Sequence, residues 1–334
     1  MVATIQMNVL IIGGTRFVGR HIAEAFVKSG ASVTLFNRGN AYGDPIQNVA
    51  FVHGDRRSDL HRLGDGKWDV VVDTCAYVPA EAEIAARFFA NRAAAYLFIS
   101  TISVYESPGG RPIDEDSPLA VLPPDADRRR VIPETYGALK VLCEQIVLST
   151  FRDRAAVLRP GLVAGPHDPT DRFSYWPVRI AQGRSVLLPE SPAHPVQYID
   201  ARDLADFAVT LAQRSAGGIY NAVTTPGSVT FGSLFEAGRR AARVNATPVY
   251  RDAETLLNAG VEPWADLPLW LPSTSADLGV VLSSNTRARS AGLRPRPVDS
   301  TAADVLAWAF EKGKRLEDLR AGLKPPREAE LLSA

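Results

Sequence analysis

The feature that most constrains the fold is a glycine-rich turn near the N-terminus. It reads Gly-Gly-Thr-Arg-Phe-Val-Gly over residues 13–19 and follows Asn8–Gly13, an apolar run of strand length. Apolar residues then recur at helical spacing over Phe17–Ser29. A chain that passes from a buried strand through glycines into a helix offers backbone N–H groups and the positive end of a helix dipole. This arrangement suits a pyrophosphate, and the sequence therefore predicts a dinucleotide-binding βα unit.

The rest of the first half alternates apolar runs with helical stretches. Strands are predicted at Ala31–Phe36, Val49–His53, Trp68–Asp73, Ala95–Ser100 and Ala155–Leu158, and a long helix at Thr135–Thr150. Strands that are apolar on both faces are typical of a parallel sheet covered by helices on each side. We therefore expect an α/β protein with a Rossmann-type doubly wound parallel sheet.

The second half is different in character. Six prolines interrupt residues 166–195. We expect residues 1–165 to form an NAD(P)-binding Rossmann domain with which 196–222 packs, and residues 166–195 and 223–334 to form a smaller C-terminal substrate-binding lobe. Residues 1–6 are expected to precede the fold, and the polar tail 324–334, with its proline pair, to be poorly ordered.

Composition limits the partners. The 37 basic and 37 acidic residues give no net charge at pH 7, and hence no overall field that would attract nucleic acid or an anionic membrane. There is no apolar run of about 18 residues and no signal-peptide pattern. Two cysteines can form neither a disulfide framework nor a zinc site by spacing, and the histidines show no metal-binding spacing. We expect a cytoplasmic protein that binds a small molecule and no metal.

Two further segments carry candidate chemistry. Tyr136 and Lys140 form a Tyr-x-x-x-Lys pattern that places both on one face of the predicted helix. A nearby ammonium group lowers the pKa of a phenol, so Tyr136 can exchange a proton with a substrate hydroxyl or carbonyl. Upstream, the fifth strand runs into Ser-Thr-Ile-Ser-Val-Tyr over residues 100–105, which supplies Thr101 and Ser103 as hydroxyl groups.

Together these motifs resemble the extended or atypical branch of the short-chain dehydrogenase/reductase superfamily, the NAD-dependent epimerase/dehydratase family. Gly13 and Gly19 match the outer glycines of its Gly-x-x-Gly-x-x-Gly turn, and Arg16 occupies the middle place. The resemblance implies that Thr101 orients the substrate oxygen, with Ser103 as the alternative. It also implies that Tyr136 is the acid/base and that Lys140 additionally holds the nicotinamide ribose.

The end of the second strand bears on the cofactor. Members that use NAD carry an acidic residue there, whereas this chain has Asn37-Arg38. Arg38 and Arg16 can both form charge-assisted bonds to a 2′-phosphate, so NADP(H) is favoured over NAD(H). The alternative is that Arg38 is only a solvated turn residue. The cofactor-binding candidates are Gly13, Thr15, Arg16, Phe17, Val18, Gly19, Asn37, Arg38, Asp55, Arg56, Cys75, Ala76, Pro160 and Val163.

Several departures from the family pattern concern the substrate. Sugar-nucleotide dehydratases of this family carry Asp-Glu where this chain has Ile102-Ser103. Nucleotide-sugar enzymes of the family carry an arginine that binds the diphosphate where this chain has Val196. The chain is also short between Cys75 and Ser100, which resembles chloroplast RNA-binding relatives that have lost the catalytic residues. The candidate substrate residues are Ser103, His167, Arg172, Tyr175 and Trp176, and simple packing of the lobe is the alternative for the last four.

The resulting hypothesis is an NADP(H)-dependent oxidoreductase that acts on a carbonyl or secondary alcohol of a small polar metabolite. An epimerase of a sugar or nucleotide sugar with tightly bound cofactor is the second interpretation. A non-catalytic nucleotide- or RNA-binding protein is the third, against which the Thr101, Tyr136 and Lys140 set and the neutral charge argue. The resemblance also implies a homodimer formed through the Tyr136 helix.

Overall fold

The computed structural model describes residues 6–39 and 45–333. The strands are β1 Asn8–Ile12, β2 Ser32–Asn37, β3 Val49–His53, β4 Trp68–Asp73, β5 Ala93–Ile99, β6 Ala155–Pro160, β7 Val163–Ala164, β8 Arg184–Pro189, β9 Ile199–Asp200, β10 Gly218–Ala222 and β11 Ala246–Arg251. The helices are α1 Phe17–Lys28, α2 Pro79–Phe89, α3 Pro133–Phe151, α4 Tyr175–Ala181, α5 Ala201–Gln213, α6 Phe231–Ala242, α7 Ala253–Asn258, α8 Thr286–Ala291, α9 Val298–Glu311 and α10 Pro325–Ser333. Five of the six residues expected to precede the fold lie outside the described part of the chain.

The main sheet contains seven parallel strands in the order β10-β6-β5-β4-β1-β2-β3. Chain order reverses between β1 and β4, and ligands of open α/β sheets bind at such a switch point, outside the carboxyl ends of the strands. This topology confirms the predicted Rossmann-type doubly wound parallel sheet. The loops after β1, β2, β4, β5 and β6 all open at that edge.

Alternation along the strands explains why helices cover both faces. Val9 and Ile11 of β1 point into one apolar cluster with α1 and α5, whereas Leu10 and Ile12 point into another with α2 and α3. All four side chains are at most 1% exposed. Within residues 196–222, α5 packs against α1 and β10 pairs with β6, whereas Val196 and Tyr198 lie in a different apolar cluster.

Residues of 166–195 and 223–334, together with Leu162, Ala164, Val196 and Tyr198, form a further apolar cluster, and we call this part of the chain the second lobe. Helices α4, α6 and α9 pack against one another beside the two-stranded sheet formed by β8 and β11. The core includes Trp176, Trp270 and Phe231, each fully buried. No helix in the described ranges is both long enough and apolar enough to span a bilayer.

The prediction of a poorly ordered tail is wrong. The proline pair starts helix α10, where the missing N–H of proline costs nothing. Glu328 on this helix is 2% exposed, pairs with Arg179 of α4 and accepts a hydrogen bond from the backbone N–H of Leu187 at 3.0 Å. A polar tail is therefore held in place by a buried ion pair.

Candidate active site

The glycine turn is tight because three positions exclude a side chain. Gly13 and Gly14 have φ angles of 101° and 84°, which glycine adopts without strain. A Cβ on Gly13 would lie 2.4 Å from Oγ1 of Thr74, and one on Gly19 would lie 2.9 Å from the Gly14 Cα. Arg16 takes the middle place with an ordinary extended backbone, φ −126°, so no glycine is needed there. It is the N-cap of α1, and its own side chain makes no capping hydrogen bond to the first turn.

A cleft of about 1080 Å³ runs from this turn along the carboxyl edge of the sheet. Its wall contains, of the predicted cofactor residues, Gly13, Thr15, Arg16, Phe17, Val18, Gly19, Asn37, Arg38, Asp55, Arg56, Cys75, Pro160 and Val163. Ala76 does not line the cleft; it is fully buried, and its carbonyl accepts a hydrogen bond from Lys140. A close-packed glycine cradle and an uncapped helix start fit a dinucleotide.

The charged side chains at the end of the cleft near β2 and β3 differ in burial and in their partners. Arg38 is exposed and pairs with no described carboxylate, while Asn37 uses its side chain to accept from the Gly39 N–H at 2.8 Å. Arg56 is buried and donates two hydrogen bonds to Asp73, at 2.7 and 2.6 Å. Burial alone would raise the pKa of Asp73, but the guanidinium overcomes this and lowers it. The Arg56 charge is therefore paired with the Asp73 carboxylate at the end of β4.

At the other end of the cleft, Thr101 and Tyr136 come together. Thr101 follows β5, and its hydroxyl accepts from the Ser103 N–H at 3.1 Å. Burial raises the pKa of Tyr136, while hydrogen bonding to Thr101 and the positive charge of Arg172 act in the lowering direction. Both residues line the cleft, as does Ser103. The side chains expected to handle a substrate oxygen are thus adjacent.

Sequence reasoning overlooked the residue that permits this approach. A Cβ built on Gly137 of α3 would lie 1.8 Å from the carbonyl oxygen of Ser103. Helix and loop therefore touch backbone to backbone, immediately beside Tyr136. The signal was visible as a glycine inside a predicted helix, which usually has a packing reason.

Lys140 occupies a different environment from the expected one. It is 2% exposed, and its Nζ donates to the carbonyls of Ala76 and Ile99, both at 2.8 Å. Burial lowers the pKa of this ammonium to about 8. The structure does not show the predicted effect of Lys140 on the Tyr136 pKa, because the positive charge acting on that phenol belongs to Arg172. Lys140 ties the loop after β4 to the end of β5.

The predicted substrate residues separate into two groups. Ser103 and Arg172 line the cleft. Tyr175 and Trp176 do not: both are fully buried in the core of the second lobe, where the Trp176 Nε1 donates to the Pro268 carbonyl at 2.9 Å. His167 also lies away from the lining, with its ring between those of His21 and Trp308. The chain turns inward after Arg172 to begin α4, so neighbouring residues in sequence do not share a surface.

The cleft wall has contributors that the sequence did not predict. Trp264, Leu271, Asp277 and Val280 reach it from the second lobe, and Tyr77 from the loop after β4. Val196 is 1% exposed in the apolar core of the second lobe, so the position of the family's diphosphate arginine offers no charge here. Among the residues described, no three His, Cys, Asp or Glu side chains are grouped as a metal would require.

The parallel sheet, the glycine cradle and the paired hydroxyls define a dinucleotide-dependent α/β enzyme. A sequence model of the NAD dependent epimerase/dehydratase family matches residues 9–222. The chain belongs to this family and is an enzyme of it, which confirms the predicted resemblance. A nicotinamide dinucleotide is accordingly the class of its cofactor.

Curated relatives are distant. One is the chloroplast stem-loop binding protein of 41 kDa b of Arabidopsis thaliana, 24% identical over 262 residues, which cover 72% of this chain and 64% of the plant protein. The chain thus spans less than two thirds of that relative. Another is a dTDP-4-dehydrorhamnose reductase of Streptomyces griseus, 27% identical over 86% of this chain and 88% of the reductase.

Solved structures share the fold. The Bordetella bronchiseptica enzyme WbmH in complex with NAD+ superposes with a TM-score of 0.66 at 18% identity, over 92% of this chain and 99% of WbmH. A UDP-glucose 4-epimerase gives the same TM-score at 16% identity, over 92% of this chain and 99% of the epimerase. At such identities the likeness concerns the fold alone.

Proposed function

We propose that the protein is an NADP(H)-dependent oxidoreductase that reduces a carbonyl, or oxidises a secondary alcohol, of a small polar metabolite. The observation that carries this proposal is the meeting of the Thr101 and Tyr136 side chains in the cleft that begins at the glycine turn. The Streptomyces relative, a reductase, supports the reaction type. Gly13, Gly19, Arg16 and Arg38 would hold the cofactor.

When bound, a nicotinamide dinucleotide supplies or accepts a hydride. The residues of this chain handle the oxygen and its proton. Because burial raises the pKa of Tyr136 above its ordinary value near 10, the phenol is protonated at neutral pH and can donate to a carbonyl oxygen. Thr101 fixes that oxygen by hydrogen bonding, and Arg172 stabilises the phenolate that remains. Lys140 keeps the two loops under the site in place.

A tyrosine replacement tests this scheme. Tyr136→Phe should lower the rate of NADPH oxidation with an accepted carbonyl compound by about 100-fold or more, since general acid catalysis contributes that much. Tyr77→Phe is the matched control, because Tyr77 lines the same cleft and, unlike Tyr136, has no hydrogen bond to Thr101 among the interactions that set its pKa. The scheme fails if Tyr136→Phe turns over like the unaltered protein.

The NADP(H) preference is tested by binding rather than turnover. Fluorescence titration should show that NADPH binds more tightly than NADH, and Arg38→Ala should reduce the difference by about tenfold, the value of one charge-assisted contact. Arg87→Ala, on the exposed surface of α2, is the control. Equal affinities for the two cofactors in the unaltered protein would contradict the proposal. The solved neighbours with NAD make this outcome a real competitor.

An epimerase is the second candidate, because several solved structures that share the fold are UDP-sugar 4-epimerases. An epimerase of this type keeps its cofactor through the catalytic cycle. Nucleotide released by denaturing freshly purified protein, together with no net oxidation of added NADPH, would support it and exclude the reductase. The non-catalytic alternative, suggested by the stem-loop binding relative, predicts RNA binding that Tyr136→Phe does not change.

Two further expectations from the sequence stay proposals. One is a homodimer formed through α3, which sedimentation equilibrium would detect as twice the 36.1 kDa chain mass. The other is a location in the cytoplasm.

A further inference from the structure

One arginine of the cleft has most of its hydrogen-bonding capacity unused. The Arg172 side chain donates from Nε to the Thr170 hydroxyl at 3.2 Å. Within the described residues its two terminal nitrogens donate no hydrogen bond, and no carboxylate lies within ion-pair distance of them. The residue is partly buried and lines the cleft near Tyr136. The two terminal nitrogens of this planar, charged fork carry four N–H groups, which are therefore available to a ligand in the cleft.

A second group beside it is incomplete in the opposite sense. Asp168 is 1% exposed, and its Oδ1 accepts from both the N–H and the hydroxyl of Thr170, at 2.8 and 2.7 Å. Its Oδ2 is buried and has no hydrogen-bond partner. Asp168 also lines the cleft. A buried carboxylate oxygen without a donor costs free energy, and a ligand hydroxyl would remove that cost.

We propose that Arg172 and Asp168 together recognise a substrate that carries an anionic group, a carboxylate or a phosphate, and at least one hydroxyl close to the carbon that reacts. The inference rests on the proposed function for the identity of that carbon. The anion accepts from the terminal nitrogens of Arg172 in the two-pronged geometry that suits carboxylates and phosphates. The hydroxyl donates to Oδ2 of Asp168.

The charges around this pair favour an anion over a neutral acceptor. Asp171, the next carboxylate, is already satisfied by Lys314 and by the backbone N–H of Arg320. Asp168 acts on Arg172 at a distance, but it neither touches the terminal nitrogens nor offsets the desolvation of the guanidinium, whose pKa is lowered by burial. An anion would supply the missing counter-charge, whereas a neutral carbonyl would leave a desolvated cation.

Calorimetric titration of the full-length Tyr136→Phe protein, saturated with NADPH, tests the inference without turnover. The probes are D-glucose, D-glucuronate, D-glucose 6-phosphate and acetate. At least one of the two anionic sugars should bind about tenfold or more tightly than D-glucose, the ratio expected for a bidentate contact with a charged group. Preference for glucuronate identifies a carboxylate site, and preference for glucose 6-phosphate a phosphate site.

Variants assign the effect to the two residues. Arg172→Gln should abolish the discrimination between the preferred anionic sugar and D-glucose, and Arg172→Lys should retain part of it. Asp168→Asn should weaken the binding of the anionic sugar but not the binding of acetate, because only the sugar has a hydroxyl to donate. Arg87→Gln is the control, and circular dichroism checks that each variant is folded.

The inference is overturned if neither anionic sugar binds more tightly than D-glucose, or if the discrimination survives Arg172→Gln. These outcomes are independent of the proposed reaction. Anion discrimination by an unaltered enzyme that neither oxidises NADPH nor reduces NADP+ would refute the oxidoreductase and leave this site. NADPH oxidation that depends on Tyr136, together with equal binding of anionic and neutral sugars, would refute this site and leave the oxidoreductase.

Discussion

The contact between Gly137 and Ser103 gives the sharpest test of how the site is built. Replacing Gly137 with alanine adds one methyl group where only 1.8 Å separates the new Cβ from the Ser103 carbonyl oxygen. Real Cβ atoms essentially never lie closer than 3.0 Å to such a neighbour, so α3 and the loop after β5 must part by about 1.2 Å. Both atoms belong to backbone or are fixed to it, and no side-chain rotation relieves the clash.

Two opposing effects set the magnitude. Alanine is favoured over glycine inside a helix by about 1 kcal/mol. Overpacking costs about 1–3 kcal/mol, and the upper end applies here because backbone must move. We expect Gly137→Ala to lower the free energy of unfolding by about 2 kcal/mol, although helix propensity alone would raise it. Because Tyr136 shifts away from Thr101 by about 1 Å, the rate of carbonyl reduction should also fall by about 100-fold.

Urea unfolding followed by circular dichroism measures the first effect, and NADPH oxidation the second. The affinity for NADPH should change by less than about twofold, because the glycine turn lies on other elements. The control is Gly238→Ala in α6, where the nearest atom to the new Cβ is the terminal side-chain carbon Cδ1 of Ile180, at 2.7 Å, instead of backbone. A Gly137→Ala protein that is as stable as the unaltered chain, or more so, would show that this close approach does not position Tyr136.

Two more predictions concern buried charges. Glu328→Ala leaves Arg179 buried without its carboxylate partner and should lower the free energy of unfolding, measured in urea, by about 3–5 kcal/mol. The control is Glu330→Ala on the exposed surface, which should change this free energy by less than about 0.5 kcal/mol. Equal losses of stability in both variants would contradict a stabilising role for the buried ion pair. The pKa of Lys140 is lowered from 10.5 to about 8, so between these values the folded protein binds fewer protons than the unfolded chain and stability rises with pH. Lys140→Met should lack this rise, and its unfolding free energy should fall behind that of the unaltered protein by about 3 kcal/mol more at pH 10.5 than at pH 8; parallel pH profiles would refute the shift.

The inner strands of the sheet were predictable because helices cover both of their faces. The predicted strand Trp68–Asp73 coincides with β4, whose last four residues are buried, since an apolar run bounded by polar turn residues leaves little choice of ends. The predicted strand Val49–His53 also coincides with β3, although this edge strand has no buried residue. The helix carrying Tyr136 was predicted two residues short at its start. Pro133 occupies the first helical position there, where proline is well tolerated.

The tail and the aromatic pair could not be predicted from local pattern. Glu328 looks like a solvated residue in sequence, and its burial depends on Arg179, which lies far away in the chain. Tyr175 and Trp176 look like pocket residues because they follow Arg172, yet helical geometry turns them into the core. In each case the deciding contact is with a residue distant in sequence, which periodicity does not reveal.

The Tyr-x-x-x-Lys motif predicted the positions of Tyr136 and Lys140 but not which cation acts on the Tyr136 phenol. The spacing of Tyr136 and Lys140 does place both on the side of α3 that faces the sheet edge. Lys140, however, donates hydrogen bonds to two backbone carbonyls, and its ammonium group therefore holds the loop after β4 against the end of β5. Arg172, supplied by the chain after β7, provides the charge that acts on the phenol and has nitrogens left for a ligand. If Arg172 serves both the phenolate and a substrate anion, removing it should impair binding and turnover together, whereas removing Lys140 should mainly reduce stability.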